Sequence, residues 1–171
     1  MKRVRPDIET GVSFLMKRVA KSYIDDWKKL RRIIGFLKCT IDELRIIGAT
    51  SLREIMTFID SAYAVHKNMR SHTGGFASFG ILVAHARSTI SKVNVKSATE
   101  SKLVSAAEYL SYTLWFRYFM ESQGYKIDKH VLYQDNKSAI LMEINGRNSC
   151  TDNSRHIDIR YFWIKDRVDN K

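Results

Sequence analysis

Apolar side chains recur at Ile8, Val12, Leu15, Met16 and Val19, a stripe that predicts an amphipathic helix over residues 7–19. Pro6 suits its first turn, and Asp7 and Glu9 stand where acidic groups favour a helix N-terminus. A second helix follows, with Ser22 and Asp25 as a shortened capping box and Trp27, Leu30, Ile33, Ile34 and Leu37 as its apolar face. Lys28, Lys29, Arg31 and Arg32 fall largely on the other side. Residues 1–50 therefore read as a basic helical hairpin, and residues 51–171 as a separate unit.

From residue 52 the pattern changes. Leu52 to Asp60, with Ile55, Thr57, Phe58 and Ile59 at its centre, predicts a strand. Residues 66–73 are polar and read as a loop. Gly74 and Gly75 punctuate the entry to a second strand over Phe76 to Leu82, and Val83 to Ile90 predicts a third. Thr99 to Gln123 reads as a long helix with Leu103, Ala107, Leu110, Leu114 and Tyr118 on one face and Gly124 as its stop. Val131 to Gln134 predicts a short strand, and Asp135 to Ser138 opens a short helix. The last helix, over residues 155–168, carries Ile157, Tyr161, Ile164 and Val168. This succession predicts an α/β fold, a mixed sheet flanked by helices.

The 171 residues are 44% hydrophobic and 11% aromatic, enough to fill a core, which argues against a disordered chain. Lys and Arg exceed Asp and Glu by 29 to 18, and the excess is spread over both halves. A basic folded surface favours polyanions such as nucleic acid, though on charge alone a merely soluble basic surface fits as well. Cys39 and Cys150 form neither a disulfide framework nor a metal-ligand spacing; both read as reduced, with Cys39 packed inside. There is no apolar run of roughly 18 residues to span a bilayer, and no apolar stretch follows the N-terminal charges. An intracellular protein with no membrane partner is expected.

Two carboxylates stand out for chemistry. Asp60 and Asp135 each fall at the end of a strand. Were those strands parallel neighbours, the two acids would lie at one sheet edge, about 4.8 Å apart. Carboxylates so placed repel unless they share a proton or bind cations, and a pair of Mg²⁺ ions serves phosphodiester hydrolysis in this way. Taken singly, an Asp in such a place is more often a helix cap or turn former.

The runs Asp60–His66, Lys96–Val104 and Tyr133–Ile140 resemble successive blocks of copia-type retrotransposon RNase H domains. Residues 155–162 resemble the helix that follows, and residues 2–8 with their hairpin resemble the tail of the reverse transcriptase upstream. The resemblance covers essentially the whole chain. It implies an RNase H-like sheet in the order 3-2-1-4-5 with parallel first and fourth strands. It also implies two-metal cleavage of RNA in RNA–DNA hybrids, with Asp60 and Asp135 as Mg²⁺ ligands.

Two departures stand against that chemistry. The family's catalytic Glu position is held by Lys102, while Glu100 matches a preceding, non-catalytic Glu. Two helical residues turn roughly 200°, so Glu100 does not face the same way as residue 102. The fifth strand and terminal helix, with a further acidic ligand, are expected to be lacking, which leaves the fourth strand as an edge open to self-association. Lys92, Lys96, Arg155 and Arg160 are candidates for nucleic-acid contact, or simply for a solvated face. His156 reads as a surface or packing residue, and His66, His72, His85 and His130 show no metal-ligand spacing. The expectation is a weakened or inactive nuclease, with a non-catalytic nucleic-acid binder or a relic reading frame as alternatives.

Overall fold

A computed structural model describes residues 5–44, 46, 48–81, 83–145, 163–167 and 169. Four strands form one sheet: β1 (Glu54–Ala62), β2 (His72–Ser78), β3 (Val83–Ile90) and β4 (Lys129–Tyr133). The helices are α1 (Glu9–Met16), α2 (Ile24–Cys39), α3 (Ala98–Ser122) and α4 (Lys137–Asn145), with 3₁₀ turns at Pro6–Ile8 and Val19–Lys21. The spatial order is β3-β2-β1-β4. β1 runs antiparallel to β2 and parallel to β4, and β2 runs antiparallel to β3. This is an α/β arrangement, an open mixed sheet flanked by helices.

Strand alternation decides which face is packed. Ile55, Thr57 and Ile59 of β1 are buried, and Ile59 joins Leu103, Ala106, Tyr109 and Leu110 of α3, Ala139 of α4 and Ile164 in one core cluster. Ile55, Ala77, Phe79 and Ile127 form a second cluster, against which Phe116 and Met120 of α3 pack. On the other face Phe58 stacks between Phe76 and Tyr133, which register across β2, β1 and β4. α1 lies against β3, where Glu9 Oε1 accepts the Ser88 N–H at 3.3 Å.

β2 begins at His72, four residues before the strand expected from Phe76. Polar and glycine positions are strand here because tertiary contacts suit them. Thr73 Oγ1 meets Ser105 Oγ at 2.9 Å, and a Cβ on Gly75 would sit 2.8 Å from the Tyr109 ring. β1 extends past Asp60 to Ala62, so Asp60 lies within the strand rather than closing it.

The hairpin departs further from expectation. Asp26, not Asp25, accepts the Tyr23 N–H at 3.1 Å and pairs with Arg18 at 3.0 Å. Trp27, Leu30 and Ile34 are exposed, and among the described elements α2 packs chiefly on α1. Tyr118 is likewise exposed, between Phe116 and Met120 that pack on the core, and Cys39 is exposed rather than packed. Cys150 and residues 155–162 of the expected last helix lie outside the described residues, where 163–167 are helical. No helix among the described residues is long and apolar enough to cross a membrane.

Candidate functional site

The residues singled out in β1, α3 and the loop after β4 meet in space. Parallel pairing sets Phe58 opposite Tyr133, so Asp60 and Asp135, each two residues further on, project from the same end of the sheet. Lys102, in the first turns of α3, reaches both. Its Nζ donates to Asp60 Oδ1 at 3.0 Å and also to Asp135 Oδ1. The lysine side chain is 15% exposed, whereas those of Asp60 and Asp135 are 76% and 68% exposed. An ammonium group largely withdrawn from water thus bridges two solvated carboxylates.

Burial acts against the charged amine of Lys102, but hydrogen bonds to Asp135 and Asp60 and their charges prevail, so its pKa is raised. The hydrogen bond from Lys102 in turn holds the Asp135 carboxyl below its ordinary value. One ammonium between two carboxylates leaves the trio with a single formal negative charge in place of two.

The start of α3 fixes the lysine's position. Ser97 caps the helix by accepting the Glu100 N–H at 3.1 Å, and Glu100 Oε2 accepts the Lys96 N–H at 2.7 Å. Glu100 is therefore buried in a capping arrangement, as the Ser-x-x-Glu spacing allows. Tyr63 adds a bond from its hydroxyl to the Lys96 carbonyl at 3.1 Å. Ser101 Oγ donates to Ser61 Oγ at 3.0 Å, tying α3 to β1 one residue from both Lys102 and Asp60.

On ligand number and charge this arrangement does not fit a pair of Mg²⁺ ions. Two dications held by carboxylates need several anionic groups, and here an ammonium occupies the space between the two carboxylates that converge among the described residues. No group of three or more His, Cys, Asp or Glu side chains able to hold a metal occurs among the described residues.

The remaining candidates are dispersed. Lys92 is exposed just after β3, beside a small cavity lined by Thr73, Thr89 and Glu108. Lys96 is exposed at the α3 N-terminus. Arg155, Arg160 and His156 lie outside the described residues.

Sequence spacing gave no sign of the histidine contacts. His66 Nε2 and His72 Nδ1 are 3.0 Å apart, and His72 Nε2 lies 2.7 Å from Ser88 Oγ. Burial, with Lys17 and His66 nearby, lowers the His72 pKa to about 4. His85 meets the Tyr109 hydroxyl at 2.9 Å, and His130 meets Thr57 at 3.0 Å. Strand pairing brings His72 to Ser88 and His130 to Thr57, while the β1–β2 loop supplies His66 and α3 supplies Tyr109, so no local motif announces them.

The chain is similar to part of retroelement Pol polyproteins. Over 168 residues it is 26% identical to the retrovirus-related Pol polyprotein from transposon TNT 1-94 of Nicotiana tabacum, a match covering 98% of this chain and 12% of that polyprotein. Over 109 residues it is 28% identical to an uncharacterised mitochondrial protein of Arabidopsis thaliana, covering 61% of this chain and 45% of that protein. No protein-family model matches the chain. The resemblance to a copia-type polyprotein fragment, drawn from ordered motifs, is supported by these relatives.

Proposed function

We propose that the chain is an RNase H-like segment of a retroelement polyprotein that binds RNA–DNA hybrid or duplex nucleic acid without cutting it. The order β3-β2-β1-β4 with β1 parallel to β4 supports the fold assignment. The observation that carries the functional reading is the Lys102 ammonium bonded to both Asp60 and Asp135. It supplies internally the positive charge that an RNase H-like site would take from Mg²⁺, and its own positive charge opposes entry of dications. The net charge of +11 supports the binding half of the proposal.

A labelled RNA–DNA hybrid tests both halves. With Mg²⁺ the hybrid stays intact, while its binding weakens with added salt so that log K falls linearly against log[salt]. Mg²⁺-dependent cleavage that disappears in Asp60→Asn overturns the loss of catalysis. Undetectable binding at low ionic strength, or binding indifferent to salt, overturns the nucleic-acid role.

A further inference from the structure

β3 is an edge of the sheet, and its pairing with β2 decides which of its backbone groups are free. In an antiparallel pair, alternate residues turn their N–H and C=O away from the partner strand. Ser88 belongs to the outward set, because its N–H goes to Glu9 Oε1 on α1. The inward set continues beyond the strand, where the Ser91 N–H donates to the Ser71 carbonyl at 2.9 Å. Ala86, two residues from Ser88, therefore presents its N–H and C=O at the edge. Neither group has a hydrogen-bond partner among the described residues.

An open groove of about 570 Å³ follows this stretch, from Val83 to Arg87, and Tyr112, Trp115 and Phe116 of α3 border it. Trp115 is 64% exposed, so a large apolar surface stands beside unpaired backbone groups. At Ser88 the carboxyl of Glu9 takes the edge N–H, which closes the free stretch at that end. Arg87 turns towards α3, with its guanidinium 4.2 Å from the centre of the Tyr112 ring. No carboxylate among the described residues forms an ion pair with it, although Glu108 lines the adjoining cavity.

We propose that the edge of β3 from Val83 to Arg87 is a docking site for an extended, acidic peptide segment of another protein, added beside β3 as a new strand. The peptide backbone supplies an acceptor for the Ala86 N–H and a donor for its C=O. A carboxylate opposite Arg87 gives the guanidinium its counter-charge. Residues two positions away share that face, so an apolar one there meets Trp115 and Tyr112. Nucleic acid fits the edge less well, because phosphate oxygens only accept and leave the Ala86 carbonyl facing negative charge. A second copy of β3 fits less well too, since Val83–Ile90 contains no acidic residue to set against Arg87. The proposal does not rest on the nucleic-acid reading above.

The whole chain is titrated with a capped peptide of about six residues, valines and threonines around one central glutamate, while backbone amides are followed by NMR. The same peptide with lysine in place of glutamate is the comparison. The glutamate peptide is expected to shift the Ala86 amide saturably and to slow its exchange with solvent. The lysine peptide is expected to bind at least about threefold more weakly. Ala86→Pro removes the outward N–H, leaves the ladder to β2 intact, and is expected to abolish the response. Arg87→Glu is expected to reverse the preference between the two peptides.

Equal responses to the two peptides, or no saturable shift at Ala86, overturn the site. A dimer joined through Ala86 in the absence of peptide assigns the edge to a second copy and also overturns it. So does an RNA–DNA hybrid that shifts Ala86 and that the peptide does not displace. Should Ala86→Pro fail to fold, Arg87→Glu decides alone, and an unaltered preference in that variant overturns the acidic selection.

Discussion

Lys102 Nζ lies 3.0 Å from Asp60 Oδ1, although 42 residues separate them in sequence. The bond joins a helix to the strand beside it, and Asp135 completes the bridge from a third element. Lys102→Glu replaces the bridging cation with a third carboxylate among two others. Mg²⁺ at about 10 mM is expected to raise the melting temperature of this variant and to leave the unaltered protein unmoved. Parallel thermal melts with and without the ion check this, and a shift in both proteins counts against the lysine as the block. Because both aspartates are well exposed, Lys102→Ala is expected to lower stability by less than about 1 kcal/mol.

Glu143 lies in the interior of the sheet–helix layer, taking a hydrogen bond from Gln134 Nε2 at 3.0 Å. Burial pushes its pKa up from 4.5 to about 7 against that bond. The folded chain then holds this proton more tightly than the unfolded chain does. Its stabilising effect is present in acid and is lost as pH rises from about 4.5 to about 7, a change of about 3 kcal/mol. His72 acts in the opposite sense, since its pKa falls from 6.5 to about 4. Its contribution is present above pH 6.5 and is lost as pH falls towards 4. The two slopes overlap and largely offset each other. In urea titrations across this range, Glu143→Gln is expected to leave stability rising with pH, and His72→Asn to leave it falling. Identical slopes in both variants would show that neither group is coupled to folding.

Gly75 faces the ring of Tyr109, and a Cβ there would lie 2.8 Å from one ring carbon and 2.9 Å from another. Tyr109 is 2% exposed and bonded through its hydroxyl to His85, so it has little room to give. Gly75→Ala is expected to destabilise the fold by about 1–3 kcal/mol. Gly74→Ala, with nothing within 4 Å of the added carbon, serves as the control for equilibrium unfolding.

Ser97→Ala removes the side-chain cap at the start of α3. A loss of about 1 kcal/mol is expected, together with faster amide exchange in the turn that carries Lys102. Amide exchange at Glu100 and Ser101 measures the second effect; unchanged protection there would remove the cap's role in positioning the lysine.

The elements legible in sequence are those whose signals are local. The Ser97 and Glu100 spacing announces the start of α3, and β3 matches its expected bounds at Val83 and Ile90. The gathering of Asp60, Lys102 and Asp135 required something more, the parallel neighbours implied by the family resemblance, because neither strand records its partner. The errors share a cause. β2 was obscured by His72, Thr73 and two glycines, whose suitability for a strand depends on Tyr109, Ser105 and Ser88. Trp27 and Ile34 follow a core-like spacing, yet α2 has little to pack against. Glu9 looked like a helix-start acid, and its link to Ser88 across 79 residues had no sequence signature.

The pairing of β4 with β1 also bears on the order of assembly. β1, β2 and β3 are joined by short connections, while Thr57 and His130 across the parallel pair are 73 residues apart. Closing so long a loop is slow, so the antiparallel meander is expected to gain hydrogen-exchange protection before β4 docks. Lys102 then reaches Asp60 ahead of Asp135, and the second carboxylate arrives to meet a cation already in place instead of a bare negative charge.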